Sequence, residues 1–134
     1  MTCQNILIPL TEESRDLKAL HHAISLAERI ESNVLVYSFV PETEAVKTDH
    51  PVIEASVDVV HRACENGLKV SFFIAPDGNA EADFLKLLDR ERIDLVVISD
   101  TEPHMEQMIR KVMPLISCQI VQVRKKNSVN YMKG

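Results

Sequence analysis

The residues best placed to do chemistry follow an apolar run near the end of the chain. Residues 96–99 read as a buried strand, and a turn then leads into a helix with Pro103 in its first turn. In α/β proteins such a junction binds nucleotide phosphates through bare backbone amides, which usually requires glycine. This turn has no glycine and carries Asp100 and Glu102, with Glu106 following in the helix. The residue types therefore argue against a polyanion at the junction.

Length and composition indicate one soluble globular domain. The chain has 134 residues, of which 46% are hydrophobic and 26% charged, and its formal net charge is -5. Because the basic residues are scattered, apart from the run Arg124-Lys125-Lys126, we expect no nucleic-acid binding. No apolar run approaches the roughly 20 residues of a membrane span, and the start of the chain lacks a signal-peptide pattern. We therefore expect no membrane insertion and a cytoplasmic location.

Strand-like and helix-like segments alternate along the chain. Five short apolar runs have the form of buried parallel strands, and they lie near residues 5–9, 33–40, 68–75, 95–98 and 120–123. Four segments between them have apolar positions at helical spacing, and they lie near residues 13–31, 52–65, 79–89 and 103–116. This alternation predicts a three-layer, doubly wound α/β domain with a five-stranded parallel sheet. We expect residues 1–125 to form the domain and residues 126–134 to be a polar C-terminal tail.

No other set of residues has the spacing of a catalytic or metal site. Cys3, Cys64 and Cys118 lie far apart without a CxxC pair, so we expect three free thiols in or near the core. His21 and His22 are adjacent on a helix and point about 100° apart, so they cannot share one ligand face. The serines lack the context of a nucleophile elbow. We predict no metal, no cofactor and no enzymatic activity.

The element pattern alone fits two doubly wound architectures, a receiver-like signalling domain and a domain of the adenine-nucleotide-binding kind. A receiver needs an acidic pair after the first strand, a phospho-accepting Asp after the third, a hydroxyl after the fourth and a Lys after the fifth. The candidates for these roles are Glu12 and Glu13, Asp77, Ser99 or Thr101, and Lys125. The glutamates lie well past the end of the strand and Asp77 comes late in the chain, so the receiver assignment is the weaker one.

Several segments resemble the universal stress protein family. They are the opening Asn5-Ile6-Leu7-Ile8-Pro9-Leu10 with the loop behind it, the helix from Ala19 to Ile30 with the following Val34 to Val40, the strand Ile93 to Ile98, and the closing Ser117 to Val123. The likeness covers nearly the whole chain, from Gln4 to Lys125. It implies an adenine nucleotide alpha hydrolase-like fold with strand order 3-2-1-4-5. It also implies that any residual nucleotide pocket is formed by Leu10, Thr11, Val40, Ser99 and Asp100.

The chain departs from the pattern of those family members that hold ATP. Their fingerprint after the fourth strand is Gly, two residues, Gly, nine residues, then Gly and Ser or Thr. Here Glu106-Gln107 stands where the Gly-Ser pair would, and the loop is shorter by roughly six residues, so the phosphate cradle is missing. Two like charges about 4 Å apart repel by about 4 kcal/mol at an effective dielectric of about 20. With Asp100, Glu102 and Glu106 facing the phosphate position, we predict weak or no ATP binding.

The resemblance also implies a homodimer. Family members commonly pair the fifth strand with its mate across a two-fold axis, which covers a sheet edge that would otherwise be open. The interface predicted here is Ile120, Val121, Gln122 and Val123.

The sequence leaves three functions open. The first is a stress-response or regulatory module that acts through contacts with a protein partner that the sequence does not name. The second is a nucleotide-binding sensor for ATP or AMP. The third is a regulatory partner of a membrane transporter, because domains of this family occur attached to antiporters and permeases.

Overall fold

The five apolar runs form neighbouring strands of one sheet, and the amphipathic segments form helices packed on its two faces. The computed structural model describes residues 5–10, 17–38, 51–74, 80–99, 103–124 and 129–131. The strands are β1 (Asn5–Leu10), β2 (Asn33–Ser38), β3 (Val70–Ile74), β4 (Leu95–Ser99), β5 (Gln119–Val123) and β6 (Val129–Tyr131). The helices are α1 (Lys18–Ile30), α2 (Pro51–Glu65), α3 (Ala80–Arg90), α4 (Pro103–Val112) and a 3-10 turn, Met113–Leu115, that continues α4.

The order of strands in the sheet is β3-β2-β1-β4-β5-β6. The first five strands are parallel to their neighbours, which confirms the predicted order 3-2-1-4-5. A receiver domain has the order 2-1-3-4-5 instead. The observed order therefore excludes the receiver alternative.

Side chains of the central strands are buried on both faces of the sheet, as expected for parallel strands between two helical layers. On β1, Ile6 and Ile8 pack in a hydrophobic cluster with residues of α1 and α2. Leu7 points to the other face and packs in a second cluster with residues of α3 and α4, among them Phe84 and Ile109. Each such large side chain contributes about 1.5–3 kcal/mol through burial. The two clusters hold the strand ends in fixed positions.

The residues predicted to face the core are mostly buried in the middle of the helices, whereas the prediction fails near the end of α1. The sequence predicts that the inner face of the segment 103–116 consists of Met105, Met108, Ile109, Val112 and Ile116; the first, third and fourth of these are buried and the other two partly buried. Helical spacing also counts Ile30 among the apolar positions of the first helix, but its side chain is 43% exposed. Ile30 is the last residue of α1, and Glu31 then turns the chain with a left-handed backbone at φ 56°. The predicted start of this helix, at residues 13–16, lies outside the described residues.

A sixth strand lies within the segment predicted to be a polar tail. Residues Val129–Tyr131 form β6, which is antiparallel to β5. The prediction of five strands thus holds for the parallel part of the sheet, and β6 is an addition to it. Three residues are too few to produce a recognisable period in the sequence.

None of the helices formed by the described residues is long and apolar enough to span a membrane.

Candidate functional site

The order of the strands reverses direction at β1. The crossover from β1 leads to β2 on one side, whereas β4 lies on the other side of β1. Ligands of open α/β sheets bind outside the carboxyl ends of the strands at such a switch point. Leu10 ends β1 and pairs with Ser38 of β2. Ser99 ends β4 at the same edge, and the pairing of β1 with β4 covers Ile6 with Leu95 and Leu7 with Val96.

Two of the five predicted pocket residues are described, and both lie at this edge. Leu10 and Ser99 are each 4% exposed. The Leu10 side chain belongs to the hydrophobic cluster beneath α1, and Ser99 has interaction partners of its own. Thr11, Val40 and Asp100 lie outside the described residues. Both described side chains are therefore buried and add little exposed surface at this edge.

The connection between β4 and α4 is very short. β4 ends at Ser99 and α4 begins at Pro103, which leaves only the three positions 100–102 between them. At full extension three residues reach about 11 Å at most, and these residues must also carry the chain from the sheet to the helical layer. Pro103 has no N–H, so one of the amides that an anion could use at this helix start is missing.

The charge of Glu106 is paired within α4. Its carboxylate oxygen Oε1 lies 3.1 Å from Nη2 of Arg110, and both side chains are partly exposed. An exposed i,i+4 pair of this kind stabilises a helix by about 0.3–0.5 kcal/mol. The charge of Glu106, which we expect to face the phosphate position, is thus partly compensated by Arg110 one turn further along α4. The acidic character of the junction rests on residues 100 and 102.

A network of hydrogen bonds lies at the opposite, amino edge of the sheet and was not predicted from the sequence. The Asn5 carboxamide donates to the carbonyl oxygens of Glu91 (3.1 Å) and Arg92 (3.2 Å) and accepts from the Asn33 carboxamide (3.1 Å). The Asn5 backbone N–H donates to the Asp94 carboxylate over 3.0 Å. Asn5 therefore joins the start of β1 to the turn before β4 and to the start of β2.

A groove of about 330 Å³ also lies at the amino edge, between the end of α3 and the start of β5. Its apolar wall includes Leu88, Ile93 and Ile116, and its polar rim includes Asp94. Cys118 lines the same groove, and burial raises the pKa of its thiol, with a further increase from the nearby Asp94 carboxylate. A neutral thiol is a poor nucleophile. Because ligand sites of this fold class lie at the carboxyl edge, we assign this groove no chemistry.

The cysteines and histidines show no arrangement suited to metal binding in the described ranges. No group of three or more His, Cys, Asp or Glu side chains there could hold a metal ion. Cys64 and Cys118 are free thiols, and Cys3 lies outside the described residues. The expectation that all three lie in or near the core is wrong for Cys64, which is exposed. Cys64 lies in the last turn of α2, and its thiol donates a hydrogen bond to the Val70 carbonyl oxygen over 3.2 Å.

The four residues predicted to form a dimer interface are all in β5. Ile120, Val121, Gln122 and Val123 are between 1% and 4% exposed. The expectation that β5 is an open edge strand is wrong, because β6 pairs with it from Val121 to Val123. The physical reason is that the segment after β5 folds back and satisfies this backbone edge within the same chain.

Comparisons with known proteins were made with the sequence and with the structure. No protein-family model and no curated protein matches the chain. The structure of the universal stress protein UspA from Lactobacillus plantarum is similar with a TM-score of 0.70 at 16% identity, over 91% of this chain and 98% of that chain. The universal stress protein from Archaeoglobus fulgidus in complex with dAMP is similar with a TM-score of 0.61 at 14% identity, over 91% and 98%. A universal stress protein in complex with cAMP has a TM-score of 0.66 at 15% identity, over 96% and 100%.

These likenesses cover nearly the whole length of both chains in each comparison. The chain has the universal stress protein fold, and the resemblance noted in its sequence is confirmed at the level of the fold. At 14–16% identity the likeness concerns the fold and does not extend to ligands.

Proposed function

We propose that the chain is a divergent universal stress protein that acts as a non-catalytic stress-response or regulatory module through protein contacts, with weak or no ATP binding. The observation that carries this proposal is the three-residue connection, without glycine, between β4 and α4. A phosphate cradle needs several backbone amides that converge on one anion, and glycine permits their close approach. Positions 100–102 offer neither the length nor the glycine.

Electrostatics supports the same proposal. The connection contributes Asp100 and Glu102, and Arg110 is already paired with Glu106. An ATP molecule would add further negative charge beside these two carboxylates. The first turn of α4, which the structure describes, offers this charge no free lysine or arginine. The repulsion weakens binding of a triphosphate more than binding of a monophosphate, because it grows with the charge of the ligand.

The described carboxyl edge also gives little support for catalysis. A catalytic serine must be exposed and activated by a neighbouring base. Ser38 and Ser99 are 0% and 4% exposed, and each has interaction partners. Burial raises the pKa of the Cys118 thiol at the other edge. These features support a role in binding rather than in group transfer.

The assembled form that we propose is a homodimer in which Ile120–Val123 of β5 pair with the same strand of a second copy. The apolar, buried character of β5 supports this, since it gives the strand a rigid backbone in a fixed register with β4. In that dimer β6 leaves its position on β5.

A nucleoside monophosphate sensor is the second candidate function. Two proteins of similar fold were solved in complex with dAMP and with cAMP, and a ligand with one phosphate needs a smaller anion site than ATP. The switch point between β1 and β4 is present in this chain. A pocket along Leu10, Thr11 and Val40 could contact the adenosine part while the phosphate stays near solvent.

Isothermal titration calorimetry tests the proposed function. We expect ATP, with and without magnesium, to give no saturable heat up to roughly millimolar concentration. A dissociation constant of about 1 μM for ATP would contradict the proposal. Micromolar binding of dAMP or cAMP without ATP binding would instead favour the monophosphate sensor.

A charge-neutral variant separates the two physical reasons given for weak ATP binding. Asp100→Asn combined with Glu102→Gln removes both negative charges and leaves the length of the connection unchanged. If the short connection is the barrier, this variant also fails to bind ATP. If it binds ATP at micromolar concentration, charge alone was the barrier and the importance of the short connection is refuted.

A further inference from the structure

The outer edge of β5 is covered by a very short strand of the same chain. β6 pairs with three of the five residues of β5, namely Val121, Gln122 and Val123, in an antiparallel register. The opposite edge of β5 pairs with β4 along all five residues. β5 therefore pairs with β4 over five residues on one side and with β6 over three residues on the other. A hairpin arm of this length is marginally stable in isolation.

β6 covers backbone groups of β5. With β6 in place, Ile120, Val121, Gln122 and Val123 are 1–4% exposed, and the three apolar side chains among them belong to the two hydrophobic clusters. An uncovered strand edge presents a row of N–H and C=O groups that pair readily with another strand. The chemistry of this edge therefore fits an extended strand and offers no side-chain pocket for a small ligand.

A second copy of β5 fits the same edge. When two copies are related by a two-fold axis perpendicular to the plane of the sheet, their β5 strands run antiparallel to each other. Within the single chain β6 also runs antiparallel to β5. Pairing within the chain and pairing between copies use the same backbone groups of Val121–Val123. The two arrangements exclude each other.

We propose that β6 is an intramolecular cap on β5 and that the release of this cap controls self-association of the protein. This inference rests on the homodimer given under "Proposed function" and adds the element that governs when it forms. Very short edge strands flanked by lysine and arginine protect a sheet edge from pairing with other chains. β6 has both features, since it is three residues long and follows the run Arg124-Lys125-Lys126.

The experiment compares the full chain with variants that release β6. In Val129→Pro with Asn130→Pro, at least one proline removes an amide that would face β5, because adjacent residues of a strand donate to opposite sides. The matched control is Val129→Thr with Asn130→Thr, which keeps both donors and the strand preference. A chain that stops after Ser128 removes β6 by a second route. Sedimentation velocity over a concentration series gives the dissociation constant of self-association, and circular dichroism verifies that each chain is folded.

We expect both chains that lack β6 pairing to self-associate at least about tenfold more tightly than the full chain and the threonine control. Hydrogen exchange should show the amides of Val121–Val123 protected in the full chain and again protected in the dimer of the truncated chain. Equal dissociation constants for all four chains would refute the role of β6 as a cap. Any dimer seen in that case would form through another surface. A folded truncated chain that stays monomeric would overturn both the cap and the β5 interface, and calorimetry with nucleotides would still test ATP binding separately.

Discussion

At the scale of single residues, Asn5 joins three segments that are far apart in the sequence. Its carboxamide binds the turn before β4 on one side and Asn33 on the other, and its backbone N–H binds Asp94. The contacts fix the amino ends of β1, β2 and β4 relative to one another. The strands are rigid and five or six residues long. The contacts at the amino edge therefore also set the positions of Leu10 and Ser99 at the carboxyl edge.

We predict that Asn5→Ala lowers the free energy of unfolding by about 0.5–1.5 kcal/mol, because it removes the partly buried hydrogen bond to the Glu91 carbonyl along with exposed bonds to Arg92 and Asn33. Urea denaturation measures the change. The matched control is Asn66→Ala, whose exposed side chain should make its effect no larger than about 0.5 kcal/mol. Equal effects of the two substitutions would show that the network adds no stability.

The two described thiols should differ in reactivity. Burial, with a contribution from Asp94, raises the pKa of Cys118, whereas Cys64 is exposed. We expect iodoacetamide to modify Cys64 before Cys118 in the folded protein and modification of Cys118 to keep accelerating above its ordinary pKa of about 8.5. Peptide mass spectrometry over a pH series measures both rates. Faster labelling of Cys118 at neutral pH would contradict the pKa direction.

The raised pKa of Cys118 also has a consequence for stability. The folded state favours the neutral thiol, so its contribution is present below the unfolded pKa of about 8.5 and is lost as the pH rises through the folded pKa. Cys118→Ser should therefore reduce the fall in unfolding free energy on the alkaline side.

Some of these residue contacts could be predicted from the sequence and others could not. Leu10 and Ser99 could be assigned to the carboxyl edge because each ends an apolar run. The role of Asn5 could not be predicted, since its partners become neighbours only when β4 lies beside β1. The pairing of Glu106 with Arg110 was available from their i,i+4 spacing.

At the scale of elements, three helices end in a left-handed residue before the chain enters a strand. These residues are Glu31, Gly67 and Arg92, at φ 56°, 90° and 50°. At the end of α2, Gly67 donates to the Cys64 carbonyl over 3.0 Å and Leu68 donates to the Ala63 carbonyl over 3.1 Å. Only glycine adopts this conformation without a cost from its side chain.

We predict that Gly67→Ala costs about 1 kcal/mol of stability. The space around Gly67 is open, with nothing within 4 Å of an added Cβ, so the cost comes from the backbone alone. The reciprocal substitution Glu31→Gly should leave stability unchanged or raise it slightly, because relief of strain offsets the entropy cost of glycine. Thermal unfolding measures both, and a clear loss of stability in Glu31→Gly would contradict this account.

The elements differ in how well the sequence predicts them. The buried face of α4 follows from helical spacing, and Asn66-Gly67 predicts the end of α2. Glu31 and Arg92 carry no such signal, because neither residue type favours a left-handed conformation. β6 was missed because its pairing with β5 depends on a fold-back of the chain and not on a hydrophobic pattern.

At the scale of the whole molecule, the fold and the nucleotide site are separable. The alternation of strands and helices, with their apolar faces, is sufficient to build the sheet of order 3-2-1-4-5. Ligand sites of open α/β sheets lie beyond the carboxyl ends of the strands, outside the hydrophobic core. In this chain the connection after β4 spans positions 100–102, and the described residues form two hydrophobic clusters. A short β4–α4 connection is therefore compatible with a folded domain.

The central claim is that the β4–α4 connection is too short and too acidic to hold a triphosphate. Native mass spectrometry of the full chain with ATP added at about 10 μM tests it most directly, because a protein with a dissociation constant of about 1 μM would then be mostly loaded. We predict a spectrum of the bare chain, with no species heavier by the mass of ATP. A dominant species that carries ATP, and that is lost in a variant altered at positions 100–102, would contradict the claim.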